Sequence, residues 1–240
     1  MLAATVDFHN PLLWAVLIGW VLSVVLHEFA HGLVAWLGGD WTIRERGGLT
    51  LNPIQYVDPV MSLLLPAVIL LMGGIPLPGG VTYVRRDLLR NRAWSSAVSL
   101  AGPAMNLLLF LACALPLHPR FGWLRPWVPV RDWPPAQQFL ATMALLQLVA
   151  VFINLVPVPP LDGFQAISPF LPADFRRKVT TPPLSTFLFL GFFFVLWQVP
   201  AVYRQVYPLI DLVLGALGFD QRTRSGFGRA YNQTLFGISS

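Results

Sequence analysis

Two histidines four residues apart, with a glutamate beside the first, form the stretch His27-Glu28-Phe29-Ala30-His31, an HExxH pattern inside an otherwise apolar run. Four residues is slightly more than one helical turn. On a helix both imidazoles therefore project from one face and can offer two nitrogens to one zinc ion. Glu28 lies about 100° round the helix from His27, at the edge of that face. From there its carboxylate can hold an attacking water and take its proton without occupying a ligand position. The bland alternative is a protonated Glu28 with histidines that only hydrogen-bond a neighbouring helix. Two histidines and a carboxylate inside a membrane span are costly unless bound to something, which favours the metal.

Catalytic zinc takes three protein ligands and leaves a fourth position for water or substrate. The third ligand should be a His, Asp or Glu from another segment at similar depth. Asp162 stands out, at the end of Asn154-Leu-Val-Pro-Val-Pro-Pro-Leu-Asp162-Gly163. The prolines there deny the backbone regular helix, and Gly163 permits a tight approach. A solvated turn aspartate would fit the same spacing. Irregular backbone at membrane depth, however, is tolerated only where it lines protein or a water-filled cavity.

The elements that must position these groups are membrane helices. Of 240 residues 55% are hydrophobic and only 11% charged; a soluble domain carries about 25% charged residues. With a mean hydropathy of +0.63, this excludes an ordinary cytosolic enzyme and a disordered chain. The formal net charge of +5 is almost all arginine, set in short clusters between apolar runs. That placement orients helices in a bilayer and offers no basic stripe for nucleic acid. The single cysteine, Cys113, rules out a disulfide framework.

Apolar stretches run from Pro11 to Leu37, Pro59 to Ile75, Ser95 to Leu117, Ala136 to Pro157 and Leu184 to Phe219. A crossing needs about 20 residues. The second stretch is short and holds Pro66 and Gly73-Gly74. The last is interrupted by Pro200, Arg204, Pro208 and Asp211, as one bent helix or two short crossings. The expected fold is thus an all-α polytopic membrane protein. About five helices span, with one re-entrant or shallow segment and short surface hairpins at 38–58 and 76–92.

An intramembrane HExxH followed by a distant NxxPxPxLDG resembles the site-2 protease family of zinc metalloproteases. The stretch Gly102-Pro103-Ala104-Met105-Asn106 adds that family's GPxxN element, so three motifs occur in the expected order between His27 and Gly163. The resemblance implies one zinc per chain held by His27, His31 and Asp162, with Glu28 as general base. It implies an intramembrane endopeptidase of a multi-pass cell-membrane protein, acting on transmembrane protein substrates within the lipid bilayer. Asn154 matches the asparagine thought to engage the substrate backbone, and Asn106 the one in GPxxN. An asparagine that only joins two helices is the competing reading for both. The pattern is the compact form, with no PDZ domain between the two motif helices and no CBS pair. It reads as one membrane metalloprotease domain over 1–240, with 184–219 an additional C-terminal transmembrane region. A zinc-binding scaffold without turnover is the alternative function. A metal transporter would need a continuous polar path through several spans. Nothing in the residues specifies the oligomeric state.

For the ligands to meet, the HExxH helix and the helix before Asp162 must run in the same direction, with one crossing between them. This makes 59–75 re-entrant or shallow. With two final crossings, the cytoplasmic side would hold the cationic residues at 44–46, 85–92 and 176–178 together with Arg222, Arg224 and Arg229. Arg120, Arg125, Arg131 and Arg204 would lie opposite.

Overall fold

The computed structural model describes residues 6, 8–71 and 77–238. Asn10 starts α1 (Pro11–Gly38) by accepting from the Leu12 N–H, and Pro11 sits where no N–H is needed. The helix has 28 residues and ends at Gly39, whose φ is 120°. A short α2 (Thr42–Glu45) follows. A π-helical turn at Pro59–Leu64 then leads into α3 (Leu65–Leu71). Asn91 caps α4 (Arg92–Ala114) at the Trp94 N–H. Pro135 opens α5 (Pro135–Asn154), and the prolines at 157, 159 and 160 prevent its continuation. Beyond it come α6 (Asp162–Ile167), α7 (Ala173–Thr180), α8 (Leu184–Gln198), α9 (Pro200–Ala216) and α10 (Gln221–Phe236).

The frame is a three-helix core in which α4 packs against both α1 and α5. Leu13 and Val16 of α1 meet Met143 and Leu146 of α5 in one cluster. Further along, Ser23 meets Gln147, and His27 meets Asp162, just past the α5 end. Both chains advance together, so α1 and α5 are parallel. On α4 the order reverses, with Val98 beside His31 and Asn106 beside His27. The required parallel pair with one antiparallel helix between is therefore present. Outward faces such as Trp14, Ile18 and Leu22 are exposed, as lipid-facing positions are. In lipid, close packing and interhelical hydrogen bonds hold such a bundle, because lipid tails are as apolar as leucine.

The segment after Tyr56 enters and returns at one end of the bundle. Tyr83 donates its hydroxyl to Asp58 at 2.9 Å, so the two ends of the excursion meet. On the way back Trp20 Nε1 donates to the Pro78 carbonyl, Gly80 lies against Glu28 and Val24, and Thr82 donates to the Glu28 carbonyl. This is re-entrant geometry, although residues 72–75 of the expected apolar stretch lie outside the described residues.

One expectation needs correction. The surface hairpins do not form, since no strand occurs among the described residues. Residues 38–58 are instead organised by the fully buried Asp40, whose carboxylate takes Thr42, Arg46 and the Arg85 N–H. The long apolar helices among the described residues, with shorter apolar helices beside them, make the all-α polytopic fold. Three helices are long and apolar enough to cross, α1, α4 (counted with its 3-10 extension to Leu117) and α5, or four if α7 and α8, bent by 66°, count as one. The C-terminal apolar material is split at Val199-Pro200 into helices of 15 and 17 residues.

Of the two readings of 184–219, one bent helix or two short crossings, the packing gives a single traverse. Phe189 and Phe193 of α8 pack on Leu161 at the metal-motif end. The residues after α9 lie at the other end, where His118 Nε2 meets the Leu217 carbonyl at 3.2 Å. The helix α10 follows there, packed on α5, with Asn10 Nδ2 donating to the Thr234 carbonyl at 3.1 Å. Arg222, Arg224 and Arg229 thus share an end with Arg120 and Arg131, and not with Arg85–Arg92. The sequence reading stopped at 219 because α10 is polar, yet Thr223 and Thr234 are fully buried against the core.

Candidate metal centre

His27 and His31 stand on the α1 face that looks toward α4. Each ring has its Nδ1 occupied. His31 Nδ1 faces the Val98 carbonyl at 2.6 Å, and His27 Nδ1 faces Asn106 Oδ1 at 3.1 Å. A carbonyl can only accept, so His31 Nδ1 carries the proton and its Nε2 presents a lone pair. Asn106, oriented with Oδ1 toward the ring, sets His27 in the same tautomer. Partners of this kind orient the histidines of metal sites.

The two Nε2 atoms lie 3.0 Å apart. Asp162 Oδ2 is 3.2 Å from the first and 3.4 Å from the second. Three lone-pair donors this close repel one another unless a cation lies between them. For zinc bonds of about 2.05 Å, the edges of a tetrahedron come to about 3.3 Å. The observed donor spacing fits that figure.

The surroundings leave room for such an ion. Gly102 of α4 faces the two Nε2 atoms, and a Cβ there would collide with both rings. Gly163 allows the turn after Asp162, since a Cβ would run into the Leu155 carbonyl. A second grouping of possible ligands, His27 with Glu28 and His31, also falls within 4.8 Å. We favour the Asp162 set as ligands because its oxygen is nearly equidistant from both nitrogens. Glu28 is buried, lines the adjoining cavity and makes no hydrogen bond through its carboxylate among the described residues. That leaves it open to a water or a substrate.

Asn154 lines the same cavity and its side chain has no hydrogen-bond partner among the described residues. Asn106 is 4% exposed and bonded to His27, a position that suits orientation of the ring better than contact with substrate. Sequence reasoning missed Arg86. Its guanidinium bonds Ser95 and Ser99 on the first turns of α4. Burial lowers its pKa, while the charge of Asp162 opposes the change. No cationic motif marked Arg86 out from the other loop arginines.

The chain is 37% identical over 199 residues to the protein assigned as zinc metalloprotease Rip2 of Mycolicibacterium smegmatis, covering 81% of this chain and 71% of that one. It is 38% identical over 205 residues to Rip2 of Mycobacterium tuberculosis, covering 82% and 73%. The zinc metalloprotease assigned as YwhC of Bacillus subtilis is 31% identical over 195 residues, covering 80% and 83%. No family model matches the chain, and no solved structure matches it.

Proposed function

Because this chain belongs to the site-2 protease family of zinc metalloproteases that includes Rip2 and YwhC, we propose that it cuts peptide bonds of membrane-embedded protein substrates inside the bilayer. The observation that carries this reading is the convergence of His27, His31 and Asp162 at zinc-edge spacing, beside the Glu28 carboxylate, which has no hydrogen-bond partner among the described residues. In this reading those three residues hold the zinc of the family. When bound, zinc supplies a Lewis acid that polarises the scissile carbonyl and makes a water more acidic.

The chain's own groups do the rest. Asn106 and the Val98 carbonyl hold the two imidazoles in the ligand tautomer. Glu28 takes the proton of the attacking water as its oxygen bonds the carbonyl carbon. It then returns a proton to the amide nitrogen as the C–N bond breaks. Asn154 binds substrate backbone at the cavity mouth. Residues 77–84, without regular secondary structure, pass beside Glu28, and their backbone is where an unwound substrate segment could add. Local unwinding is required, since an intact helix shields its carbonyls with its own hydrogen bonds.

The whole described chain acts as one integral membrane unit of the cell membrane, multi-pass, with lipid around α1, α4 and α5. The positive-inside rule places the metal end on the cytoplasmic side, beside Arg85–Arg92 and Arg176–Lys178. The experiment is zinc analysis of purified protein combined with cleavage of a fluorogenic transmembrane substrate. Glu28→Gln should retain zinc and lose at least about a hundredfold in rate. Wild-type turnover by that variant would overturn the assignment, and an absence of zinc would overturn the site.

A further inference from the structure

A cavity of about 240 Å³ opens beside His27 and Glu28 and runs along α1 to Trp20, walled by Leu65, Leu146 and Phe189. Its inner end is not wholly apolar. Gln147 of α5 lines it and is fully buried. Gln147 Nε2 donates to Ser23 Oγ at 2.8 Å, while the Ser23 hydroxyl donates to the Gly19 carbonyl at 2.8 Å. Having spent its proton, Ser23 can only accept from Gln147. This fixes the amide with its NH2 group toward Ser23 and its carbonyl away.

Gln147 Oε1 is consequently buried without a hydrogen-bond partner among the described residues. Leu or Met would fill the same volume without that cost. The unpaired acceptor is near the reaction centre. Ser23 precedes His27 by one helical turn, about 6 Å along the axis, which is the reach of a medium-sized side chain from its own backbone. Gln147 also lies two turns before Asn154, on the same face of α5.

We propose that Gln147 Oε1 is a specificity-determining acceptor. It takes a hydrogen bond from the hydroxyl or carboxamide side chain of a substrate residue flanking the scissile bond. Substrates with Ser, Thr, Asn or Gln at that position are then preferred over apolar isosteres. The inference rests on the protease reading above and deepens it.

The test uses the zinc-loaded full chain in liposomes and transmembrane peptides that differ only by Thr or Val, placed on either side of the cut bond in turn. At one of the two positions the wild type should favour Thr by about tenfold in kcat/KM, the effect of one buried neutral hydrogen bond. Gln147→Leu should bring that ratio to about one. Equal wild-type rates on Thr and Val at both positions overturn the proposal. So does a Thr preference that survives in Gln147→Leu, and so does an equal loss on both peptides in that variant, which marks a structural water site. If Gln147→Leu does not fold, the wild-type pairs decide alone. If no peptide is cut, the protease reading has failed separately. Binding of the fluorescently labelled Thr and Val peptides to the zinc-loaded chain then decides: tighter binding of Thr by about tenfold supports the acceptor, and equal binding overturns it.

Discussion

Removing the Asn106 side chain should weaken zinc binding more than substrate binding. Asn106 Oδ1 lies 3.1 Å from His27 Nδ1, and the residue is 4% exposed. In Asn106→Leu the volume is nearly kept but the Nδ1–H is left buried and unpaired, a cost of about 1–3 kcal/mol. Without metal the imidazole can change tautomer or tilt and recover part of that cost. With metal the Nε2 lone pair is committed, so the penalty falls mainly on the zinc-bound state. Since about 1.4 kcal/mol is tenfold, the expected loss of zinc affinity is about 10- to 100-fold. Competition against a chromophoric chelator in detergent measures it directly. Asn106→Asp supplies a stronger acceptor in the same place and should recover most of the affinity. At saturating zinc the KM of Asn106→Leu should stay close to that of the wild type. Unchanged zinc affinity together with a KM raised severalfold would refute the argument and return Asn106 to the substrate.

Two further outcomes are expected from the far end of the bundle. Asp220 caps α10, and its carboxyl is held below the usual carboxylate range chiefly by the Thr223 backbone N–H, helped by the Thr223 hydroxyl. A depressed pKa means the charge stabilises the fold above the unfolded value, near 4, and loses that effect as pH falls through the folded value. At pH 7 Asp220→Ala should cost about 1 kcal/mol, the usual worth of an N-cap. The difference in Tm between wild type and Asp220→Ala should shrink on acidification below pH about 4, and a constant difference would count against the cap. For topology, cysteines introduced at Arg90 and Arg177 should be labelled from one side of the membrane, and those at Arg125 and Arg229 from the other, in a chain lacking Cys113. Labelling of Arg229 together with Arg90 would restore two final crossings.

Much of the centre was legible because ionisable groups are scarce in the apolar runs. His27, Glu28 and His31 stood out for that reason, and helical periodicity placed both histidines on one face. Asp162 was recognisable from the proline-interrupted turn that must bring it back to the same depth, and the parallel course of α1 and α5 followed from that requirement. The surface hairpins were misread. β-branched residues between glycines suggest strands, but Asp40, wholly buried, draws Thr42, Arg46 and the Arg85 backbone into one polar knot instead. The helix α10 was missed for the opposite reason. Its residues look solvated, while Phe227 and Leu235 lie in the core and Asp220 caps its start.

The neutral polar residues mark where sequence reasoning stops. A serine, threonine, asparagine or glutamine in a membrane helix is cheap enough to serve packing alone, so residue type does not separate structure from function. Hydrogen-bond partners do. Thr142 is matched with Thr234 inside the core, which accounts for both. Asn106 is matched with His27, which ties it to the candidate metal centre. Gln147 is matched on one side only, and Asn154 not at all among the described residues. Of these neutral polar residues, the two with unmet hydrogen-bonding capacity thus both line the cavity that begins at Glu28.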